Sequence, residues 1–536
     1  MNEASNPQTT THAEGRETTT KRAPDAVPKD AAAVILLRES PSVSDASVSR
    51  VPEVFWARRG ERMAFLGGFY AFPGGQRDAS DAEVEVENAP DGETATMIAC
   101  AARELFEEVG VLAARGAETL TRGQRDSLLD DLMSGRMPFP ALLKHYGLSL
   151  DARDFVFAGR WVTPPFSPRR FDTFFFIIRC PRKQEPHVRT SEFESGEWVD
   201  AAQAVARWRR AEVLVAPPVL HALKVLSGGI SENLVERFLA VPQAHREPVR
   251  RIEFLPGFIC FPVRTPTKPP ATHTNCYIVG GREIIVVDPA SPYAEEQAAL
   301  AACIDELRAE GRAVREIVLT HLHPDHVGGV NALREHLEKT TGRNIPVAAH
   351  RLTAEALAEQ QIRVERLIED GDVIALAGEP EINLRAMHTP GHARGHLCFY
   401  DEQTGALLTG DNIVGLGSVL IDPPEGNMRD YIDSLERLRA LPKLKVLFGA
   451  HGAAVGGARA KIDEYIAHRL EREQNILAAV RAAPDGTTPA EIVARVYTDV
   501  HPKAHAMAER AVVAHLEKLV ADGLVACDAE GLCTAR

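Results

Sequence analysis

The sequence predicts a multidomain α/β protein closed by a small helical domain. Three observations lead there. The chain has 536 residues, well past the roughly 250–300 over which a single hydrophobic core keeps growing. Strand and helix signals alternate in two separate runs, divided by a proline-bearing stretch. From Ala458 onward the signals become almost wholly helical. Apolar residues make up 45% and charged residues 25%, which is globular composition and argues against a disordered or fibrous chain.

Residues 1–28 are rich in Thr, Ala, Pro and charge and hold almost no large apolar side chains, the composition of a disordered tail. The first α/β domain is expected over 29–240. Ala33 to Leu37 and Val54 to Ala57 are short buried-strand signals, followed by glycine-rich turns and a helical stretch at 95–109. Strand-like runs recur at 155–162 and 171–179, and an amphipathic helix is expected at 200–210. Several prolines mark 241–271 as linker and first strand region.

A second α/β domain is expected over 272–457. Its strands are Cys276 to Val279, Glu283 to Val287, Glu316 to Leu319, Val347 to Ala349, Leu384 to Met387, Leu397 to Tyr400, Ala406 to Leu408 and Val446 to Phe448. Residues 458–536 form the helical domain. Ile462, Tyr465, Ile466 and Leu470 recur at helical spacing, and Thr488-Pro489-Ala490-Glu491 is a helix start with Pro at its first position. Arg510 to Val520 reads as another helix, and a small hairpin would fit the glycine-flanked end.

The balance of 61 basic and 75 acidic side chains gives 61 − 75 = −14. That excludes indiscriminate coating of nucleic acid, which needs dense cations, though not a local basic groove. The eight cysteines form no CxxC pair, so a reduced, cytoplasmic protein is the simplest expectation. No apolar run approaches the ~20 residues of a membrane span; Phe174 to Ile178 is typical of the longest.

The densest chemistry follows the strand Glu316 to Leu319. Thr320-His321-Leu322-His323-Pro324-Asp325-His326 places four potential ligands within six residues. His321 and His323 point the same way in an extended loop, and Asp325 and His326 turn toward a neighbouring point. That suits two adjacent metals, for which imidazole and carboxylate are both good ligands. The bland alternative is a histidine-rich surface loop. Against it, His392, Asp411 and His451 each close a strand further on. Alone, each would be an ordinary turn or core residue; together they complete seven ligands.

With the HxHxDH motif and the later His, Asp and His in order, this half resembles the metallo-β-lactamase superfamily. The resemblance implies an αβ/βα sandwich and two zinc ions. His321, His323 and His392 would hold the first, Asp325, His326 and His451 the second, and Asp411 would bridge. Asp288 would orient rather than ligate, and Asp325 is also a catalytic candidate. Met428 to Leu435, Gly449 to Gly452 and Tyr465 to Glu473 resemble the β-lactamase-like endoribonucleases with a winged-helix-like domain. That implies single-stranded RNA as substrate. A thioester or other small ester is the alternative, as is a non-catalytic metal scaffold. Residues 456–536 carry ten Lys/Arg and twelve Asp/Glu, so packing or homodimerisation competes with RNA binding as that domain's role. His396 receives no ligand role.

The first domain has its own signature. Phe72-Pro73-Gly74-Gly75 precedes Arg103-Glu104-Leu105-Phe106-Glu107-Glu108-Val109-Gly110-Val111. On a helix, Glu104, Glu107 and Glu108 share one face, an oxygen-rich surface suited to Mg²⁺ with substrate phosphates. A solvated acidic helix is the alternative. The set resembles the Nudix box, GX5EX7REUXEEXGU, and implies a Nudix-like α/β/α sandwich. Glu104, Glu107 and Glu108 would then bind Mg or Mn, Glu107 would be catalytic, and Arg103 would orient a carboxylate. Gly75 and Arg103 lie 28 apart where the pattern needs 14. The extra residues within Asp78 to Thr94 are read as a surface insertion, with Glu93 the nearest candidate for the leading Glu. Trp161 to Pro164 and Arg170 to Thr173 resemble a coenzyme-A-cleaving Nudix subgroup. A small-molecule diphosphate is the implied substrate, and a sensing module the alternative.

Overall fold

The computed structural model describes residues 26–39, 52–63, 65–498 and 500–536. The tail expected over 1–28 lies outside them except for its last three residues.

The strand Lys29–Arg38 is an apolar run, as befits a strand covered on both faces. It pairs in parallel with Phe171–Arg179 and antiparallel with Glu53–Arg59 and Gly74–Gln76. Tyr70–Ala71, Val156–Val162 and Phe193–Asp200 complete a mixed sheet of seven strands. Side chains of one strand alternate between faces. Val34 and Leu36 pack against the helix Gly92–Val109, whereas Ile35 and Leu37 join Trp208 and Leu223 of the helices Ala201–Arg209 and Pro217–Ser227. Asp91 caps the long helix by accepting from the Thr94 N–H, and Gly110 ends it in the left-handed region at φ 70°.

The segment 241–271 is not a loose tether. It carries the strands Ile252–Leu255 and Phe258–Arg264, so the next sheet begins earlier than 272. Phe254 is buried against Phe69 at 5.4 Å between ring centres, and its carbonyl accepts from the Trp208 indole N–H at 3.1 Å. One apolar core therefore runs from the first domain into the second.

The second domain stacks two sheets. One has seven strands in the order 252–255, 258–264, 273–280, 283–287, 313–318, 347–349 and 366–367. The other has five, in the order 373–376, 382–388, 397–401, 406–410 and 446–449. Their facing side chains, among them Val279, Val287, Leu384, Phe399 and Phe448, form the shared core. The helices Ala294–Ala309 and Val330–Thr341 cover the outer face of the first sheet. Met428–Arg439 and the start of Ala458–Arg481 cover the second.

That last helix of 24 residues belongs to two domains. Ile462, Tyr465 and Ile466 pack on the second domain; Ile476 and Val480 pack on the helices Pro489–Val496 and His505–Ala521. Leu470 is 40% exposed because it falls between the two cores. Thr488 and Glu491 form a capping box. The terminal hairpin Val525–Cys527 and Cys533–Ala535 carries a Cys527–Cys533 disulfide, which corrects the expectation of eight unpaired cysteines. Among the described residues, no helix is long and apolar enough to cross a membrane.

Candidate functional site

The seven metal-ligand candidates stand in the loops and the one short helix that follow strands, and the fold brings them together. The strand Glu283–Val287 stops at Asp288, whose backbone is left-handed at φ 51°. Its carboxylate accepts from the Thr320 N–H at 2.8 Å and the Thr320 hydroxyl at 2.6 Å, fixing the loop that presents His321 and His323. The one-turn helix Pro324–Val327 then carries Asp325 and His326.

Two donor sets result. His321, His323, His392 and Asp411 offer atoms within 4.8 Å of one another, as do Asp325, His326 and His451. In the first set, His323 Nδ1 lies 2.9 Å from His321 Nε2 and 3.0 Å from His392 Nε2. Asp411 spans both sets. Its Oδ1 is 3.4 Å from His326 Nε2 and 3.3 Å from His451 Nε2, and its Oδ2 is 3.5 Å from His392 Nε2. His326 Nε2 and Asp411 Oδ1 are buried and make no hydrogen bond. Buried polar atoms are almost always satisfied, so these orphaned donors fit a pair of metal ions that imidazole and carboxylate would share.

The opposite nitrogens are anchored. His326 Nδ1–H donates to Asp288 at 2.8 Å, His392 Nδ1–H to the Leu420 carbonyl at 2.9 Å, and His451 Nδ1–H to the His273 carbonyl at 2.8 Å. His321 Nδ1 is 2.9 Å from the Thr320 hydroxyl. Such partners set the tautomer and aim the free nitrogen. Burial would raise the Asp411 carboxyl, but His451 and His326 outweigh it and hold it well below the usual range. Burial likewise opposes charge on His326, yet Asp411 and Asp288 raise it well above an ordinary imidazole.

Two residues support the site without ligating: His396, for which structural support is the expectation from sequence, and Asn275, which no motif in the sequence marks. His396 is fully buried and its Nε2 accepts from the Asp411 N–H at 3.2 Å, so it seats the bridging residue. Asn275 donates through Nδ2 to the carbonyls of Gly449 and Gly452 at 2.9 and 2.8 Å, clamping the loop around His451. A lone amide inside a wholly buried strand was its only signal.

In the first domain, Glu104, Glu107 and Glu108 share the inner side of their helix but do not form a third tight donor set among the described residues. Arg103 Nη1 donates to Glu104 at 2.8 Å and Glu107 at 2.9 Å, while Glu108 accepts from the Gly74 N–H at 2.7 Å. A Cβ at Gly75 would stand 2.5 Å from the Glu104 carboxylate. Burial raises Glu108 well above its usual value and, against the pull of Arg103, pushes Glu104 up to about 7.

The expected surface insertion holds after Asp81, where residues 82–94 are mostly exposed, but not at its start. Asp81 is 1% exposed and grips Arg103, Oδ1 to Nε at 2.8 Å and Oδ2 to Nη2 at 2.9 Å. Glu93 instead sits eleven residues before Glu104, about 16 Å along the helix, and pairs with Arg160 at 3.0 Å in an exposed position. The step of six from Gly75 to Asp81 equals the front spacing of the box, with Asp for Glu. The extra residues lie after it.

The profile of the metallo-β-lactamase superfamily matches residues 269–451, and that of the β-lactamase-associated winged helix domain matches 488–531. A Caenorhabditis elegans protein named Beta-lactamase-like protein 2 homolog is 30% identical over 256 residues, 47% of this chain and 80% of that protein. An Atrochrysone carboxyl ACP thioesterase of Aspergillus novofumigatus (strain IBT 16806) is 29% identical over 312 residues, 55% of this chain and 89% of that protein. A solved NUDIX hydrolase from Alicyclobacillus acidocaldarius is 32% identical, covering 38% of this chain and 92% of its own, with a TM-score of 0.33. With its ligand residues just beyond the strand ends and a relative of this identity matched over most of its length, the chain belongs to the metallo-β-lactamase superfamily.

Proposed function

We propose that the second domain is a two-zinc hydrolase of acyl thioesters or related small esters. His321, His323 and His392 would hold one ion, Asp325, His326 and His451 the other, and Asp411 would bridge. The observation that carries this is Asp411, whose two oxygens face the two donor sets. A pair of zinc ions supplies a water ionised near neutral pH as the nucleophile. Asp325, at 3.7 Å from His451 Nε2, would complete the second donor set and is also the candidate to take up a proton there. Asp288 and the His273 carbonyl keep the imidazoles aimed.

Two facts support an ester substrate. One relative carries the name of an acyl-carrier-protein thioesterase. In addition, several cations of the helical domain are already spent on packing. Arg510 binds Asp422 and Lys518 binds Glu473 and Asp522, while Asp522 also takes Arg429 of the second domain. Single-stranded RNA is the second reading, favoured by the winged-helix match. The test is a panel of acyl thioesters and 5′-labelled single-stranded RNA with the zinc-loaded full chain. Asp411-dependent thioester cleavage is expected; Asp411-dependent RNA cleavage with inert thioesters would reverse the order.

For the first domain, the reading is Mg²⁺- or Mn²⁺-dependent hydrolysis of an organic diphosphate. Water would add at phosphorus as the P–O–P bridge breaks, giving two phosphate esters. The Asp81–Arg103–Glu104/Glu107 network supports it, because it positions the helix carboxylates from beneath. Loss of ADP-ribose or coenzyme A cleavage in Glu107→Gln tests it; unchanged cleavage would refute it.

A further inference from the structure

A cavity of about 400 Å³ opens in the core shared with the second domain, on the sheet face away from the helix Gly92–Val109, and is within the size range of small-molecule sites. Met63, Trp161, Phe166, Phe175, Phe254 and Ala453 line much of it. Trp161, Phe166, Phe175 and Phe254 are each under a tenth exposed, so these rings belong to the core and the cavity is cut into it. The charged side chains in its lining are Arg59, Arg169 and Glu192. Arg169 and Glu192 are exposed, and Arg59 pairs with Glu192 at 3.5 Å.

Gly74 and Gly75 form part of the same wall, and these two residues also carry the carboxylates. The Gly74 N–H holds Glu108, and Gly75 presses against Glu104. The polar cluster and the apolar cavity thus meet at the Gly74–Gly75 backbone, and a ligand that reaches both would pass that strand edge. Gln76, Thr163, Ser167 and Thr173 also line the cavity, but the Ser167 hydroxyl already donates to the Arg169 carbonyl and the Thr163 hydroxyl accepts from the Phe171 N–H, so a sugar or amide arm would exchange water for few free partners. A hydrocarbon arm would lose none and gain burial.

We infer that this cavity receives the apolar arm of an organic diphosphate whose phosphates lie over Glu104, Glu107 and Glu108. The inference rests on the diphosphate reading of those carboxylates and adds the part of the substrate that is recognised.

The test is calorimetric, on the full chain with Mg²⁺, using the decyl and methyl monoesters of methylenebisphosphonate. The decyl compound should bind at least 10-fold more tightly. Filling the cavity at two further lining residues, Ala216→Trp or, independently, Val162→Trp, should bring the affinity ratio toward one. Glu107→Gln should weaken the decyl compound. Equal affinities for wild type would overturn the inference. So would decyl binding indifferent to Glu107→Gln and to Mg²⁺ removal, which would make the cavity a separate site. Cleavage of ADP decyl ester distinguishes the two claims. Tight, Glu107-dependent decyl binding without cleavage would refute the hydrolase reading alone. Cleavage of decyl and methyl esters with equal kcat/KM, alongside equal affinities, would refute the cavity alone.

Discussion

Asp81 holds Arg103 through both carboxylate oxygens, at 2.8 and 2.9 Å, across 22 residues of sequence and out of reach of solvent. The remaining guanidinium nitrogen serves Glu104 and Glu107, so the acidic helix is aligned from a residue that precedes it.

Removing one partner of a buried ion pair leaves an uncompensated charge, at a cost of about 3–5 kcal/mol. Asp81→Ala should therefore lower the thermal transition of the first domain and cut its diphosphate cleavage. Glu93→Gln, at an exposed pair, should stay within about 0.5 kcal/mol and keep turnover. Calorimetric melts of both variants decide it; equal effects would contradict the assignment of Asp81.

Asp288 acts at one remove, through Thr320 and His326. Asp288→Asn should preserve the fold but reduce metal affinity or turnover about 10–100-fold, the usual cost of losing an outer-sphere partner. Chelator competition followed by optical zinc titration measures this, and wild-type affinity would refute the positioning role.

Asp411 faces both donor sets, so Asp411→Ala should release metal as well as activity. Metal analysis should fall from roughly two ions per chain, and hydrolysis should drop more than about 100-fold. Full metal content with full activity would remove the proposed bridge.

Burial, opposed by Arg103, pushes Glu104 up to about 7. Between the ordinary carboxyl value near ~4.3 and that value, the metal-free native state holds the extra proton. Its contribution to stability is fully present below the ordinary value and is lost as pH rises through about 7. Melting in chelator should therefore fall more steeply over this window for wild type than for Glu104→Gln, and saturating Mg²⁺ should flatten the difference. Identical slopes for the two chains would count against it.

The metal centre was legible because its chemistry is local. Four ligands lie within His321 to His326, and the others each close a strand whose apolar run is itself a strong signal. Asp81 was not, because its importance depends on a partner brought back by the fold. Reading from the helix outward pointed to Glu93, which helical rise carries away from the cluster. Asn275 and His396 are ordinary residues until the strand ends converge on them. The prolines of 241–271 mark a boundary and a first strand region, but the burial of Phe254 and Leu255 comes from the neighbouring domain and is invisible to local pattern. No spacing motif marks Cys527 and Cys533; only the hairpin register joins them.

Ala453 follows His451 by two residues and lines the cavity of the other domain, while Gly456 packs against Gly67 and Gly68. The fusion is therefore not two interchangeable cassettes. Recombining either half with a foreign partner would strip a wall from one site and a brace from the loop of the other. Substitutions along 449–457 are thus answerable to two chemistries at once, and the halves of this gene product should diverge in step.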